Sequence, residues 1–330
     1  MRMPIVWGPL SAGLLALVIL TSRPWEAAFF LGSPNLWPAV GAIALNAFVL
    51  ALWGVRSARL LASAGVGLDV GAAIRLSSMA YAVNSVTPGS VGEIARAVAM
   101  KQQHAVPYTI GAATILVERF GALFYFSASA GWAWLAVRAD LTFALIAAGW
   151  LIIAILPGVG RWGPFRPGAV LRAAIRLAGS RGTSSLLDGS IRLDDAIVAI
   201  LGTPRSLLEF ALTTAGLFAM FALQLVLVAA TVGAAVDPIN AWAALGIAMT
   251  AGVLSMLPFG LGATDVVLAG LLVAAGVSAP AAAATALGFR LVSTLPLGLI
   301  GAAAYARTSA AIRIPDPVSP GDRMEASRER

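Results

Sequence analysis

Six ionisable side chains lie in or beside apolar runs long enough to cross a bilayer: Glu93, Arg96, Glu118, Arg119, Asp265 and Arg290. At the bilayer centre each costs roughly 2.5–3.5 kcal/mol on insertion scales, so each is expected to face inward and to be paired. Three are acids and three are bases, so they can neutralise one another. Glu93 and Arg96 are spaced i, i+3 and share a helix face. Glu118 and Arg119 are consecutive and point about 100° apart, so each needs a partner on another helix. Asp265 and Arg290 are the natural long-range candidates. The chemistry open to such a set is recognition of an anion, because the planar arginine fork meets two phosphate oxygens at once.

These charges sit beside two matching interruptions of the apolar pattern, about 170 positions apart. The first is Pro88-Gly89-Ser90-Val91-Gly92-Glu93. The second is Pro258-Phe259-Gly260-Leu261-Gly262-Ala263-Thr264-Asp265. In each, a proline stands four residues before a glycine and an acid follows. An arginine comes 31 residues after the first proline and 32 after the second. Proline lacks an N–H and crowds the preceding turn, so a helix breaks there. The helix that restarts aims its free N–H groups at whatever lies in front of it, which favours an anion. Ser90 and Thr264 could add hydroxyl contacts. A purely structural account also fits these residues. Glu93 and Asp265 fall where an acid stabilises a helix start, Ser90 and Thr264 could be caps, and the arginines could be interhelical clamps. Asn84 and Gln224 read as hydrogen bonds between helices.

Composition defines the solvent. Hydrophobic residues make up 59% of the 330, charged residues only 11%, and the mean hydropathy is +0.89. A soluble domain carries roughly 25% charged residues. Period-two alternation, the mark of a β-barrel, is missing from the apolar runs. The expected class is therefore all-α, a polytopic membrane helical bundle. The absence of cysteine removes thiolate chemistry, and His104 is a lone histidine beside Lys101 in a polar stretch. No metal site, cofactor or catalytic residue is expected, and no nucleotide-binding or hydrolase motif occurs. The net charge of +7 lies mainly in loops, which points to topology and anionic lipid and not to nucleic acid. Twenty-one of the 22 basic residues are arginine, a bias expected of a GC-rich bacterial genome.

About six full spans are expected, near 5–21, 36–55, 108–137, 139–157, 207–232 and 279–306, with broken hairpins at 70–103 and 239–276. With the N-terminus in the cytoplasm, Arg56 and Arg59 fall in an inner loop. The seven arginines of 158–206 and the five after Tyr305 are also cytoplasmic, and only Arg23 and Arg138 lie outside. The two hairpins then open to opposite sides, forming an inverted repeat with halves near 70–137 and 239–306. Residues 158–206 read as a cytoplasmic segment, amphipathic near 170–177 or a plain linker. Residues 1–310 read as one transmembrane domain, and 311–330 as a disordered cytoplasmic tail.

The run Asn84 to Arg96, then Glu118-Arg119, then Leu257 to Gly262, and finally Arg290 resembles the transmembrane domain of lysylphosphatidylglycerol synthetases. Stand-alone proteins that share this domain are called flippase-like. The resemblance spans about 5–306, and Asp265 stands where the family often has glutamate. It implies a lipid-translocating membrane part, here expected without the soluble aminoacyltransferase. Arg119, Arg290, Glu93, Arg96, Glu118, Asp265, Ser90 and Thr264 are the expected translocation residues. Pro88, Gly89, Gly92, Pro258, Gly260 and Gly262 are the helix-break residues. The expected function is movement of an anionic phospholipid or lipid-linked sugar between leaflets of a bacterial plasma membrane, with both termini cytoplasmic. The expected partners are a membrane lipid and a separate envelope-biosynthesis enzyme. Alternatives are a membrane-embedded lipid-modifying transferase, with Glu93 or Glu118 as base, and an accessory subunit of an envelope-synthesis complex.

Overall fold

The computed structural model describes residues 35–87, 91–139, 184–255, 257 and 260–309. The expected spans near 5–21 and 139–157, the amphipathic stretch near 170–177, the tail after 310, and Pro88, Gly89, Ser90 and Pro258 lie outside the described residues.

Among the described residues the chain is helical. Helix α1 is Trp37–Ser63, α2 Val70–Val86, α3 Val91–His104 and α4 Tyr108–Arg138. Helix α5 is Ser184–Leu201, α6 Pro204–Thr231, α7 Pro238–Leu254 and α8 Ala263–Ala274. Helix α9, Ala279–Phe289, runs through a π turn at Arg290–Thr294 into α10, Leu295–Ser309. Four stretches are long and apolar enough to cross a bilayer: Trp37–Ser63, Tyr108–Val137, Pro204–Thr231 and Ala279–Arg307. Helices α7 and α8 are apolar but shorter. The protein is a multi-pass membrane protein.

Local chemistry sets the boundaries. Aspartates begin both broken hairpins. Asp69 Oδ2 accepts from the Ala72 N–H at 3.0 Å at the start of α2, and Asp237 Oδ2 accepts from Ile239 and Asn240 at 2.9 and 3.1 Å at the start of α7. Pro204 and Pro238 open α6 and α7, where a missing N–H costs nothing. The α1 helix extends to Ser63, well past the expected end near Val55. Arg56 and Arg59 are therefore on a helix and not in a loop. No glycine or proline interrupts the chain between Gly54 and Gly65, so nothing stops the helix earlier.

Two long helices form the spine. Near one end Arg56 of α1 donates to Thr214 of α6, and near the other Gln224 of α6 donates to the Ala42 carbonyl of α1 at 2.8 Å. The two helices are antiparallel. Around this spine the hairpins exchange partners. Helix α2 lies along α10, and α7 lies along α4. Both contacts rest on glycine. A Cβ on Gly301 would stand 2.1 Å from the Ser78 carbonyl oxygen, and one on Gly246 would stand 2.4 Å from Ala130 Cβ. Without a hydrophobic drive between helices in lipid, such close backbone approach holds helices together. Gly246 follows Ser78 by 168 residues, as Asp237 follows Asp69; Gly301 follows Ala130 by 171, as Arg290 follows Arg119.

The largest buried cluster joins these layers. Phe218 of α6 is fully buried, stacked on Phe126 of α4 and edge-on to Trp242 of α7, with both ring centroids 4.5 Å away. A smaller cluster sets Ile197 and Ile200 of α5 against Leu60, Val117 and Phe210.

Candidate functional site

The first break brings Glu93 to the start of α3, where it is buried. The approach of α3 to α2 is close enough that a Cβ on Gly92 would lie 2.1 Å from the Ala80 carbonyl oxygen. The side-chain oxygen of Asn84 accepts from the Gly92 N–H at 2.8 Å, and its amide donates to Glu93 Oε1 at 3.3 Å. Asn84 therefore belongs to the site and is more than a link between helices. Its position four residues before Pro88 was the available signal.

Arg96 forms the hub of this half. It meets Glu118 in a two-pronged pair at 2.6 and 3.3 Å, reaches Glu93 Oε2 at 3.4 Å, and donates to Ser57 Oγ at 2.5 Å. Arg119 donates from Nε to Glu93 Oε1 at 3.0 Å, and its Nη2 meets the same oxygen. The expected long-range partners are corrected here. Glu118 and Arg119 do not turn to Asp265 and Arg290; they pair with Arg96 and Glu93 inside their own half. Helix α3 crosses α4 closely enough to offer both charges of its own, which spares a reach across the bundle.

The second break is built alike. Gly260 and Gly262 hold positive φ angles of 61° and 82°, a backbone that glycine adopts without strain. Asp265 is 1% exposed; its Oδ2 accepts from the Gly262 N–H at 2.9 Å. Its Oδ1 accepts from Arg290 Nε at 2.5 Å, and Arg290 Nη2 donates to the Gly260 carbonyl at 3.1 Å. Thr264 Oγ1 packs where Gly252 and Gly260 nearly touch, filling the space a Cβ on either would need. The π turn begins at Arg290, and its cause is Pro296. Proline cannot donate to the carbonyl four residues back, that of Val292. The Asn46 amide of α1 takes that carbonyl at 2.8 Å. Mid-helix π turns gather at functional sites.

The halves meet near Tyr81 of α2. Its hydroxyl is close to Thr294 in the π turn, and it lies within electrostatic reach of both Arg119 and Arg290. The arginines nevertheless differ. Arg119 keeps 51% of its side chain exposed and Arg290 only 14%. Each sits eleven residues into its helix, counted from Tyr108 and from Ala279, or roughly 16 Å at 1.5 Å per residue. That is a little over a third of the way along each span.

A seventh charge joins the set. Arg56 is buried, and its one hydrogen bond is a long one to Thr214 Oγ1 at 3.4 Å, leaving Nε without a partner. Around the first break, Arg56, Arg96 and Arg119 thus stand against Glu93 and Glu118. Chemically the arrangement is a chain of fixed charges that can hold an anion, with acids committed to arginines. Among the described residues no group of His, Cys, Asp and Glu is placed to hold a metal ion.

A helical membrane bundle with two Gly-broken hairpins, each pinning an acid to an arginine at membrane depth, defines the class of protein. The chain belongs to the family described as lysylphosphatidylglycerol synthase TM region, whose family model matches residues 5–301. That family is membrane-associated and related to lipid handling. No curated protein matches the chain.

Proposed function

We propose that this protein moves an anionic phospholipid or lipid-linked sugar between leaflets, with the head group passing Arg119 and Arg290 while its tails stay in lipid. One observation carries the reading. Arg119, a little over a third of the way along a membrane-crossing helix, bonds to Glu93 and still leaves half of its side chain exposed. A guanidinium that is only a clamp would be covered, because an exposed charge in hydrocarbon is costly. A passing phosphate would make the exposure useful, and arginine holds it in a forked geometry.

The reading includes an inverted repeat. The antiparallel spine supports it, as do the paired aspartate caps, the exchanged hairpin partners and the equal depths of the two arginines. In such a repeat the two breaks face opposite leaflets, and small movements of one half against the other alternate access. The expected setting is a bacterial plasma membrane with both termini cytoplasmic.

Reconstitution tests the proposal. Vesicles holding the purified protein should transfer a labelled anionic lipid from one leaflet to the other, and Arg119→Gln should abolish that transfer while the protein stays folded. A folded wild type that moves no anionic lipid, or an Arg119→Gln protein as active as wild type, refutes it.

A further inference from the structure

Beyond the mid-membrane pair, the antiparallel ends of α1 and α6 form a narrow crevice, packed too closely in this structure to hold a free water molecule. Arg56, Arg59, Leu60 and Ser63 line it from α1; Ser206, Glu209 and Thr213 are among those facing them from α6. Helix α1 has 27 residues and is roughly 40 Å long, about the bilayer with its head groups. Ser63, its last residue, is then at head-group level, and Arg56 is roughly 10 Å further in, near the edge of the hydrocarbon.

We propose that this crevice opens at its Arg59 rim into a second anion site, taking the phosphate of an anionic phospholipid at the membrane surface with Arg56 as its floor. Three observations converge on it. Arg56 is buried, has a single long hydrogen bond, and leaves its Nε unpaired, which is costly for a charged group unless a ligand supplies the missing acceptor. The charges within its reach do not balance it, for Glu118 and Glu93 are already shared with Arg96 and Arg119. The rim adds further positive charge. Arg59 and Arg205 face one acid, Glu209, which Arg205 holds at 2.9 Å while Arg59 stands off at 4.0 Å. That long contact is the place where the rim opens: Arg59 moves onto the phosphate and Glu209 stays with Arg205. Hydroxyls of Ser63, Ser206 and Thr213 lie along the same walls. The site stands independently of translocation.

Full-length protein in nanodiscs of phosphatidylcholine tests the site, titrated with phosphatidylglycerol and, separately, with inorganic phosphate, with bound lipid read by native mass spectrometry. Phosphatidylglycerol should be retained over phosphatidylcholine. Arg59→Gln, on the exposed rim, should weaken that retention by about tenfold, the loss of one charge-assisted hydrogen bond. Arg56→Gln should weaken it further, and Arg56→Lys should restore it in part. If Arg56→Gln does not fold, Arg59→Gln and Thr213→Val carry the test. Competition by inorganic phosphate supports a site for phosphate as such, and its failure to compete supports recognition of the lipid. Binding of inorganic phosphate without any lipid preference overturns the lipid assignment. Equal retention of both lipids, or retention unchanged in Arg59→Gln and in Arg56→Gln or Thr213→Val, overturns the site. The assay reads bound lipid and not transfer between leaflets, so failure here and failure of translocation are separable.

Discussion

The Asn46 side-chain amide donates to the Val292 carbonyl at 2.8 Å, joining α1 to the π turn of the distant helix that carries Arg290. The carbonyl is available because Pro296 has no N–H to give it. Asn46 also accepts from Gln224 at 3.2 Å, so one buried amide links α1, α6 and the turn.

This linkage predicts a specific rescue. Asn46→Leu should destabilise the protein by about 1–3 kcal/mol, the usual cost of a buried carbonyl left unpaired. Pro296→Ala restores a donor four residues on, so the double variant should recover part of that loss in a detergent unfolding assay. Pro296→Ala alone should let the turn relax to α-helix and re-aim Arg290, lowering lipid transfer with little loss of stability.

The exchanged hairpins predict which glycines tolerate change. Gly301→Val must push against the Ser78 carbonyl and Gly246→Val against Ala130 and the Phe126 carbonyl. Each should cost about 1–3 kcal/mol by overpacking. Gly298→Ala, where nothing lies within reach of a new Cβ, is the control and should be neutral or slightly stabilising by thermal melting.

Buried and half-exposed arginines should separate in kind. Arg96 is almost wholly covered and serves Glu118, Glu93 and Ser57 together, so Arg96→Gln strands the buried Glu118 carboxylate, takes one partner from Glu93 and should cost about 3–5 kcal/mol. Adding Glu118→Gln should return part of it. Arg119→Gln leaves Glu93 bonded to Arg96 and Asn84, so its stability loss should be smaller and its transport loss complete. Equal unfolding midpoints for Arg96→Gln and Arg119→Gln would contradict this division.

Asp265 has two tasks, holding the Gly262 N–H and the Arg290 guanidinium. Asp265→Asn keeps one accepting oxygen, so it retains one of the two bonds but loses its charge and sets an amide NH2 against the other donor. Lipid transfer should fall more than the melting temperature, whereas Asp265→Ala should lower both.

Much of the site was legible because charge inside an apolar run is expensive and therefore stands out. Glu93, Arg96, Glu118 and Arg119 form one cluster as their spacing allowed, and Asp265 meets Arg290. Which acid serves which arginine was not legible, since that depends on how α3 crosses α4. Arg56 was missed for a different reason. The apolar run thins after Val55, which reads as a loop, yet Ser57, Ala58, Leu60 and Leu61 all continue on the helix and are buried. The π turn had a signal in Pro296, six residues past Arg290 in an apolar run, but the donor that makes the turn tolerable is Asn46, some 250 positions away.

The crossed pairing of α2 with α10 and of α4 with α7 has a consequence for biogenesis. Helix α4 is finished about a hundred residues before α7 begins, and α2 still longer before α10. During synthesis the early helices must wait in the lipid with their glycine-contacting surfaces open. Separately expressed fragments should consequently be short-lived substrates for membrane quality control, and co-expression of the two pieces should rescue both.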